Sequence, residues 1–248
     1  VRNADLVCAT FNGEGLRIPP GHEEIELGLV KLYRVTREEK YLRQARFFMD
    51  VRGKPLDGRE LWGKYNQDHE PVVDQAEAAG HAVRAAYLYA AMTDIAAIQD
   101  DGDYRQAVDA IWRDIVHTKL YLTGGIGATR HGESFGEAYQ LPNDTAYNET
   151  CAAIALANWA HRMFLLHGDS GYVDVLERIL YNGLLSGVSL DGKHFFYPNP
   201  LSSDGVTPFN QGSAGRQPWF GCACCPGNVT RFVASVPGMA YARRDHHL

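Results

Sequence analysis

The chain lacks the features that would place it in a membrane, on a nucleic acid or in a disulfide-stapled scaffold. No apolar run approaches the roughly 20 residues that a membrane-spanning helix needs. Its 24 Lys and Arg against 30 Asp and Glu give a net charge of −6, with no basic run beyond the short Arg243-Arg244 pair. That balance argues against a nucleic-acid footprint. Cysteine is scarce, at five in 248 residues. The number is odd, and the neighbours Cys224 and Cys225 make poor disulfide partners, because a bridge between adjacent residues is strained. Reduced thiols used for metal binding or catalysis are the better reading, and a reducing, cytoplasmic setting is expected. The start, Val1-Arg2-Asn3-Ala4-Asp5, has neither an initiator methionine nor a signal peptide, and residues 241–248 carry no helix stop. Both ends read as cuts through a longer protein.

What is present is ordinary globular material, 45% hydrophobic and 22% charged, arranged with a helical period. Ile25, Leu29, Leu32 and Tyr33 share one face, and Leu42, Ala45, Phe48 and Met49 share another. The turn between them, Thr36-Arg37-Glu38-Glu39, carries a capping-box pattern. A second pair of helices follows Gly80-His81, with Val83, Tyr87 and Ile95 before the turn at 100–103 and Tyr104, Ala107, Val108, Ile111 and Ile115 after it. A third pair opens at Glu149-Thr150-Cys151 and turns at 167–171, and a last helix is expected from Asn228 to about Val236. Long loops, 53–80 and 121–148, separate the pairs, and long loops in compact domains are often functional. The pattern is an internal repeat of helical hairpins with a period near 60 to 70 residues, the signature of a solenoid or toroid. Three hairpins cannot close a toroid of six. The expected fold is all-α, with residues 1–248 forming one domain that is about half of an (α/α)6 barrel.

Chemistry concentrates in Cys222-Ala223-Cys224-Cys225-Pro226-Gly227-Asn228. Upstream lie Tyr147-Asn148-Glu149-Thr150-Cys151 and the loop around Glu133. Zinc takes about four ligands from Cys, His and carboxylate, and structural sites are usually all Cys and His. A quartet that includes Glu149 therefore reads as functional, whereas one of Cys151, Cys222, Cys224 and Cys225 reads as a structural staple. Buried free thiols are the third reading, and Cys8 is a bystander. In isolation Glu133 reads as a solvated surface glutamate and Tyr197 as a core residue. His22 and His81 occupy the same repeat position, where capping and ligand binding are both open. The triad Gly124, Gly125 and Gly127 implies unusual backbone angles or the close approach of another group. It is not a phosphate cradle, because no Lys-Ser/Thr follows.

Five ordered motifs carry a resemblance that covers essentially the whole chain. They are Gly21-His22-Glu23-Glu24-Ile25-Glu26-Leu27, Ala79-Gly80-His81-Ala82-Val83-Arg84-Ala85, Leu122-Thr123-Gly124-Gly125-Ile126-Gly127 and the two cysteine motifs. Together they resemble the β-L-arabinofuranosidase family, glycoside hydrolase family 127, and its close relative family 146. The resemblance implies a retaining exo-glycosidase on an (α/α)6 barrel, acting on arabinofuranosyl glycans or glycopeptides. It implies Zn2+ held by Glu149, Cys151, Cys224 and Cys225, with Cys224 as nucleophile and Glu133 as general acid/base. His81, Tyr197 and His22 match substrate-contacting positions. The other class of function in view is a non-catalytic helical-repeat module with a structural zinc.

Overall fold

The computed structural model describes Val1–Arg243; Arg244 of the basic pair and the tract to Leu248 lie outside the described residues. Among the described residues there is no strand, only isolated bridges between loops. The chain is all-α, as its periodicity requires, and divides into two compact units, the first ending at Thr118 and the second beginning at Lys119.

The first unit holds helices α1 (Arg2–Thr10), α2 (Ile25–Thr36), α3 (Glu39–Val51), α4 (Ala82–Gln99) and α5 (Gly102–Asp114). Helix α1 had no counterpart in the periodicity and carries no buried residue. It is fixed to α3 by polar contacts, with Asp5 accepting from the Tyr41 hydroxyl at 2.8 Å and pairing with Lys40 at 2.7 Å. The α2–α3 turn differs from the capping-box expectation. Thr36 is the last residue of α2, and its hydroxyl donates back to the Leu32 carbonyl at 2.8 Å. Arg37 then closes the helix in a left-handed conformation, and Glu38 precedes α3 without a side-chain cap. A real cap opens α5, where the Asp101 carboxylate accepts from the Asp103 and Tyr104 amides, satisfying donors that have no intrahelical partner.

Helix α4 is buried on every side; its alanines 82, 85, 86, 90 and 91 let neighbours approach closely. Helix α5 is amphipathic and buries Tyr104, Ala107, Val108 and Ile111. Removing a side chain such as Ile111 or Met92 from water stabilises the fold by about 1.5–3 kcal/mol. The same contrast recurs in the second unit. There α6 (Thr150–His167) is buried almost throughout, and α7 (Gly171–Arg178) runs on through a wider π turn at Ile179–Leu184. Gly168, at φ 74°, ends α6 with a left-handed cap. Helix α8 (Cys224–Ser235) packs on α6. It starts four residues before the expected Asn228, because Pro226 falls in the first turn, where its missing N–H has no partner to lose.

A buried ion cluster ties the first unit together. Arg52 donates to Glu23 at 2.6 Å and to the carbonyls of Asn66 and Pro20, and it lies 3.7 Å from Glu26. Burial outweighs the attraction of Arg52 and pushes the Glu23 carboxyl up to about 7; it raises Glu26 as well. Two carboxylates around one deeply buried guanidinium thus favour keeping one proton.

Candidate metal-thiolate site

Three extended segments of the second unit run side by side and aim the site. Residues 125–128 pair with 147–148 through Asn148 N–H to Gly127 O at 2.8 Å and Tyr147 N–H to Ala128 O at 3.4 Å. On the other side, Thr150 N–H donates to Tyr197 O at 3.0 Å and Asn199 N–H to Tyr147 O at 2.8 Å. The glycine triad makes this possible. Gly124, at φ 83°, has Ile179 where a Cβ would sit, and a Cβ on Gly125 would crowd the Asn148 side chain at 3.0 Å. Fully buried Asn210 clamps the aromatic segment, accepting from Tyr197 N–H at 2.8 Å and donating to Phe195 O at 3.1 Å.

The long loop then presents Glu133 at the tip of a tight turn, closed by mutual backbone bonds between Thr129 and Ser134 at 3.0 and 3.1 Å. Glu133 itself sits at φ 51°, a left-handed conformation uncommon for a residue with a side chain. Asn148, at φ 43°, repeats the device immediately before Glu149.

Helices α6 and α8 converge with their first turns together. Glu149 is the residue preceding α6, yet its carboxylate caps no amide. It turns instead to the sulfurs, with Oε1 at 3.6 Å from Cys224 Sγ and 3.5 Å from Cys225 Sγ. Cys151 lies 3.4 Å from Cys225, and Cys225 lies 3.8 Å from Cys224. All four ligand atoms fall within 4.8 Å of one another. These separations are of the size found between the ligand atoms of a four-coordinate metal. Bonds of roughly 2.3 Å to sulfur and 2.0 Å to oxygen at tetrahedral angles place S···S near ~3.8 Å and S···O near ~3.5 Å. Glu149 Oε2 is buried without a hydrogen-bond partner, an orphan that a cation would satisfy.

The electrostatics point the same way. Burial, then the Cys224 charge, pushes Glu149 well above the carboxylate range. Hydrogen bonding to Cys224 raises Cys151, and burial raises Cys225. Cys224 alone is driven far down, by hydrogen bonds from Cys151 and Cys225 and then from Tyr197. A divalent ion among these groups would favour their ionised forms. Cys151, Cys224 and Cys225 all lie in first helical turns, where the helix dipole favours a thiolate.

Exposure separates the thiols. Cys151 is 2% and Cys225 0% exposed, whereas Cys224 is half-buried. Cys222 is exposed and outside the quartet, so the all-cysteine staple is not what assembles. Tyr197 Oη stands 3.1 Å from Cys224 Sγ, its ring meeting Phe220 edge-on. A carboxylate oxygen of Glu133 lies within 4.8 Å of one of Glu149. Tyr147, which the motif contained but to which no role was given, donates its hydroxyl to Glu133 Oε1 at 2.6 Å. Its position within the motif, two residues before Glu149, was the signal available for it.

His22 and His81 belong to the first unit, where their rings lie 6.4 Å apart. Their apparent equivalence in the repeat breaks down. His81 directly precedes α4 and caps it, Nδ1 accepting from Val83 N–H at 3.2 Å, which leaves Nε2 to carry the hydrogen. His22 lies three residues before α2 and is exposed.

Comparison with known proteins places these observations. Residues 1–238 match the family model described as the β-L-arabinofuranosidase GH127 catalytic domain. A non-reducing end β-L-arabinofuranosidase of Bifidobacterium longum is 40% identical over 265 residues, covering 98% of this chain and 40% of that protein. A solved GH127 β-arabinofuranosidase is 54% identical with a TM-score of 0.90, covering 98% of this chain and 37% of the other. A GH127 β-L-arabinofuranosidase from Geobacillus stearothermophilus T6 is 41% identical with a TM-score of 0.90, over 99% of this chain and 42% of its own. The chain therefore spans about two-fifths of the length of these relatives, and its helical hairpins match those of their (α/α)6 barrels.

Proposed function

The chain belongs to glycoside hydrolase family 127, and from that premise we propose that it is the site-bearing part of an exo-acting, retaining β-L-arabinofuranosidase of glycans or glycopeptides. The observation that carries the reading is a half-exposed thiol, Cys224, within a quartet whose other members are buried, with Glu133 close by. Zn2+ held by Glu149, Cys151, Cys224 and Cys225 would keep the thiolates deprotonated at neutral pH. Cys224 Sγ attacks the anomeric carbon, forming a C–S bond as the C–O bond to the leaving group breaks. Glu133 gives its proton to the departing oxygen. In the second half, Glu133 takes a proton from water, whose oxygen displaces sulfur and releases the sugar with retained configuration. Tyr197 stabilises the sulfur anion at the start and end of the cycle. Tyr147 orients Glu133, and His81 and His22 contact the sugar.

The competing reading, a non-catalytic helical module with a structural zinc, draws on one feature: four protein ligands fill a tetrahedral ion, as in closed structural sites. Against it stand the carboxylate in place of a fourth cysteine and the exposure of Cys224. Glu133→Gln separates the two. In the full-length protein it should fold, keep its metal and lose at least about 100-fold in kcat, the scale of a general-acid contribution. Undiminished turnover would remove Glu133 from the chemistry.

A further inference from the structure

Within the second unit, the aim of Glu149 depends on the residue before it. Asn148 sits at φ 43°, a conformation that asparagine can stabilise by bonding its own side chain to nearby backbone. Here that help is missing. The Asn148 carboxamide is buried, and neither its oxygen nor its nitrogen has a hydrogen-bond partner. The Glu149 carboxylate caps no amide of α6 that would anchor it either. The kink that directs Glu149 to the sulfurs is therefore held by neighbouring segments.

One neighbour is the Gly127 carbonyl, which takes the Asn148 N–H at 2.8 Å. The other is Asn199, which grips the stretch at three points. Its backbone N–H donates to the Tyr147 carbonyl at 2.8 Å. Its Nδ2 donates to the Asn148 carbonyl at 2.9 Å and to the Thr150 hydroxyl at 3.0 Å. Those last two acceptors belong to the residues immediately before and after Glu149. Thr150 sends its own hydroxyl hydrogen to the Phe196 carbonyl at 2.8 Å, so its oxygen faces Asn199 as an acceptor. At the far end of the carboxamide, Asn199 Oδ1 accepts from the Ser186 hydroxyl at 3.3 Å. Two donors on one nitrogen with an acceptor beside them are what a primary amide offers, and a carboxylate of the same shape offers neither donor.

We infer that Asn199 is a positioning residue for the metal quartet, its carboxamide holding the Asn148–Thr150 stretch so that Glu149 stays a ligand. The inference rests on the reading of Glu149, Cys151, Cys224 and Cys225 as metal ligands and extends that set to a residue outside it. A plain staple between two extended segments would use the same bonds. The two roles differ in whether the metal senses Asn199 through Glu149.

The test titrates the metal-stripped, full-length protein with Zn2+ in competition with a chromophoric chelator. Asn199→Asp keeps the shape, removes both donors and sets an oxygen against the Asn148 carbonyl. It should weaken Zn2+ binding by about 10- to 100-fold, the usual cost of losing a group that orients a metal ligand. Asn199→Ala should cost less, because Asn199 lines a surface pocket with Ser186 and Phe196 from which water can replace the donors. In a Glu149→Ala background, where the three cysteines still bind, neither substitution should weaken binding by more than about twofold further. Loaded with Co2+, Asn199→Asp should show visible ligand-field bands shifted toward those of Glu149→Ala. Unchanged affinity in Asn199→Asp, or an equal loss with and without Glu149, would overturn the inference and leave the quartet standing. If Asn199→Asp does not fold, Asn199→Ala decides by the same two comparisons. A wild-type protein that takes up no Zn2+ would overturn the quartet, and the role of Asn199 with it.

Discussion

Replacing Tyr147 with phenylalanine should weaken the second reacting group without disturbing the first. The hydroxyl donates to Glu133 Oε1 at 2.6 Å, while the ring, buried at 4% exposure, packs 6.2 Å from the Tyr197 ring. Phenylalanine keeps the packing and removes the hydrogen bond alone. A hydrogen bond to a charged group contributes about 1.5–3 kcal/mol. At 1.4 kcal/mol per factor of ten, its loss predicts a fall in kcat of roughly 10- to 100-fold. Glu133 sits at φ 51° on a turn tip, so its aim depends on such a partner. The loss should fall on a sugar leaving group, which needs a proton, and largely spare p-nitrophenolate, which does not. Steady-state kinetics on the two substrate types measure this directly. Equal losses on both, or none on the oligosaccharide, would refute the idea that Tyr147 acts by orienting the acid.

Two further outcomes are expected. The Glu23 carboxyl is raised from 4.5 to about 7 in the folded state, so between those values the folded chain binds more protons than the unfolded one. Its contribution is therefore full at low pH, declines by on the order of 3 kcal/mol as pH rises from about 4.5 to about 7, and is level above. Glu23→Gln should flatten that slope in denaturant titrations at pH 5 and pH 8; a variant with the wild-type slope would show that Glu23 is not its source. Metal analysis should find one ion per chain, and stripping it with a chelator should lower Tm. An ion at a hundred times its Kd contributes about 2.7 kcal/mol, so an unchanged Tm would argue against occupation of the quartet.

Much of this architecture was legible because helices announce themselves by period. Tyr104, Val108 and Ile111, at i, i+4 and i+7, share one face of a helix and could not share one face of a strand. Spacing left the quartet open beside an all-cysteine staple and buried free thiols, and the family resemblance singled out Glu149, Cys151, Cys224 and Cys225. Other parts depended on interactions without period. Helix α1 is held by Asp5, Lys40 and Tyr41, polar contacts that leave no apolar stripe. The start of α8 was hidden by Pro226 and Gly227, which read as a turn but are tolerated in a first helical turn. The capping box at Thr36 was overridden by a left-handed Arg37 and a hydroxyl that bonded backwards instead. Tyr147 carries no role in the sequence pattern because a tyrosine inside a motif reads as core until its hydroxyl is seen on Glu133.

Mass spectrometry after treatment with a bromoacetamide-bearing arabinosyl probe tests Cys224 as the nucleophile. A Cys222→Ser background removes the exposed thiol that any alkylating agent would reach first. One thioether adduct is expected, on Cys224, forming more slowly when arabinose-containing substrate competes. Modification of Cys225, Cys151 or Glu133 in place of Cys224, or labelling unaffected by substrate, would contradict it.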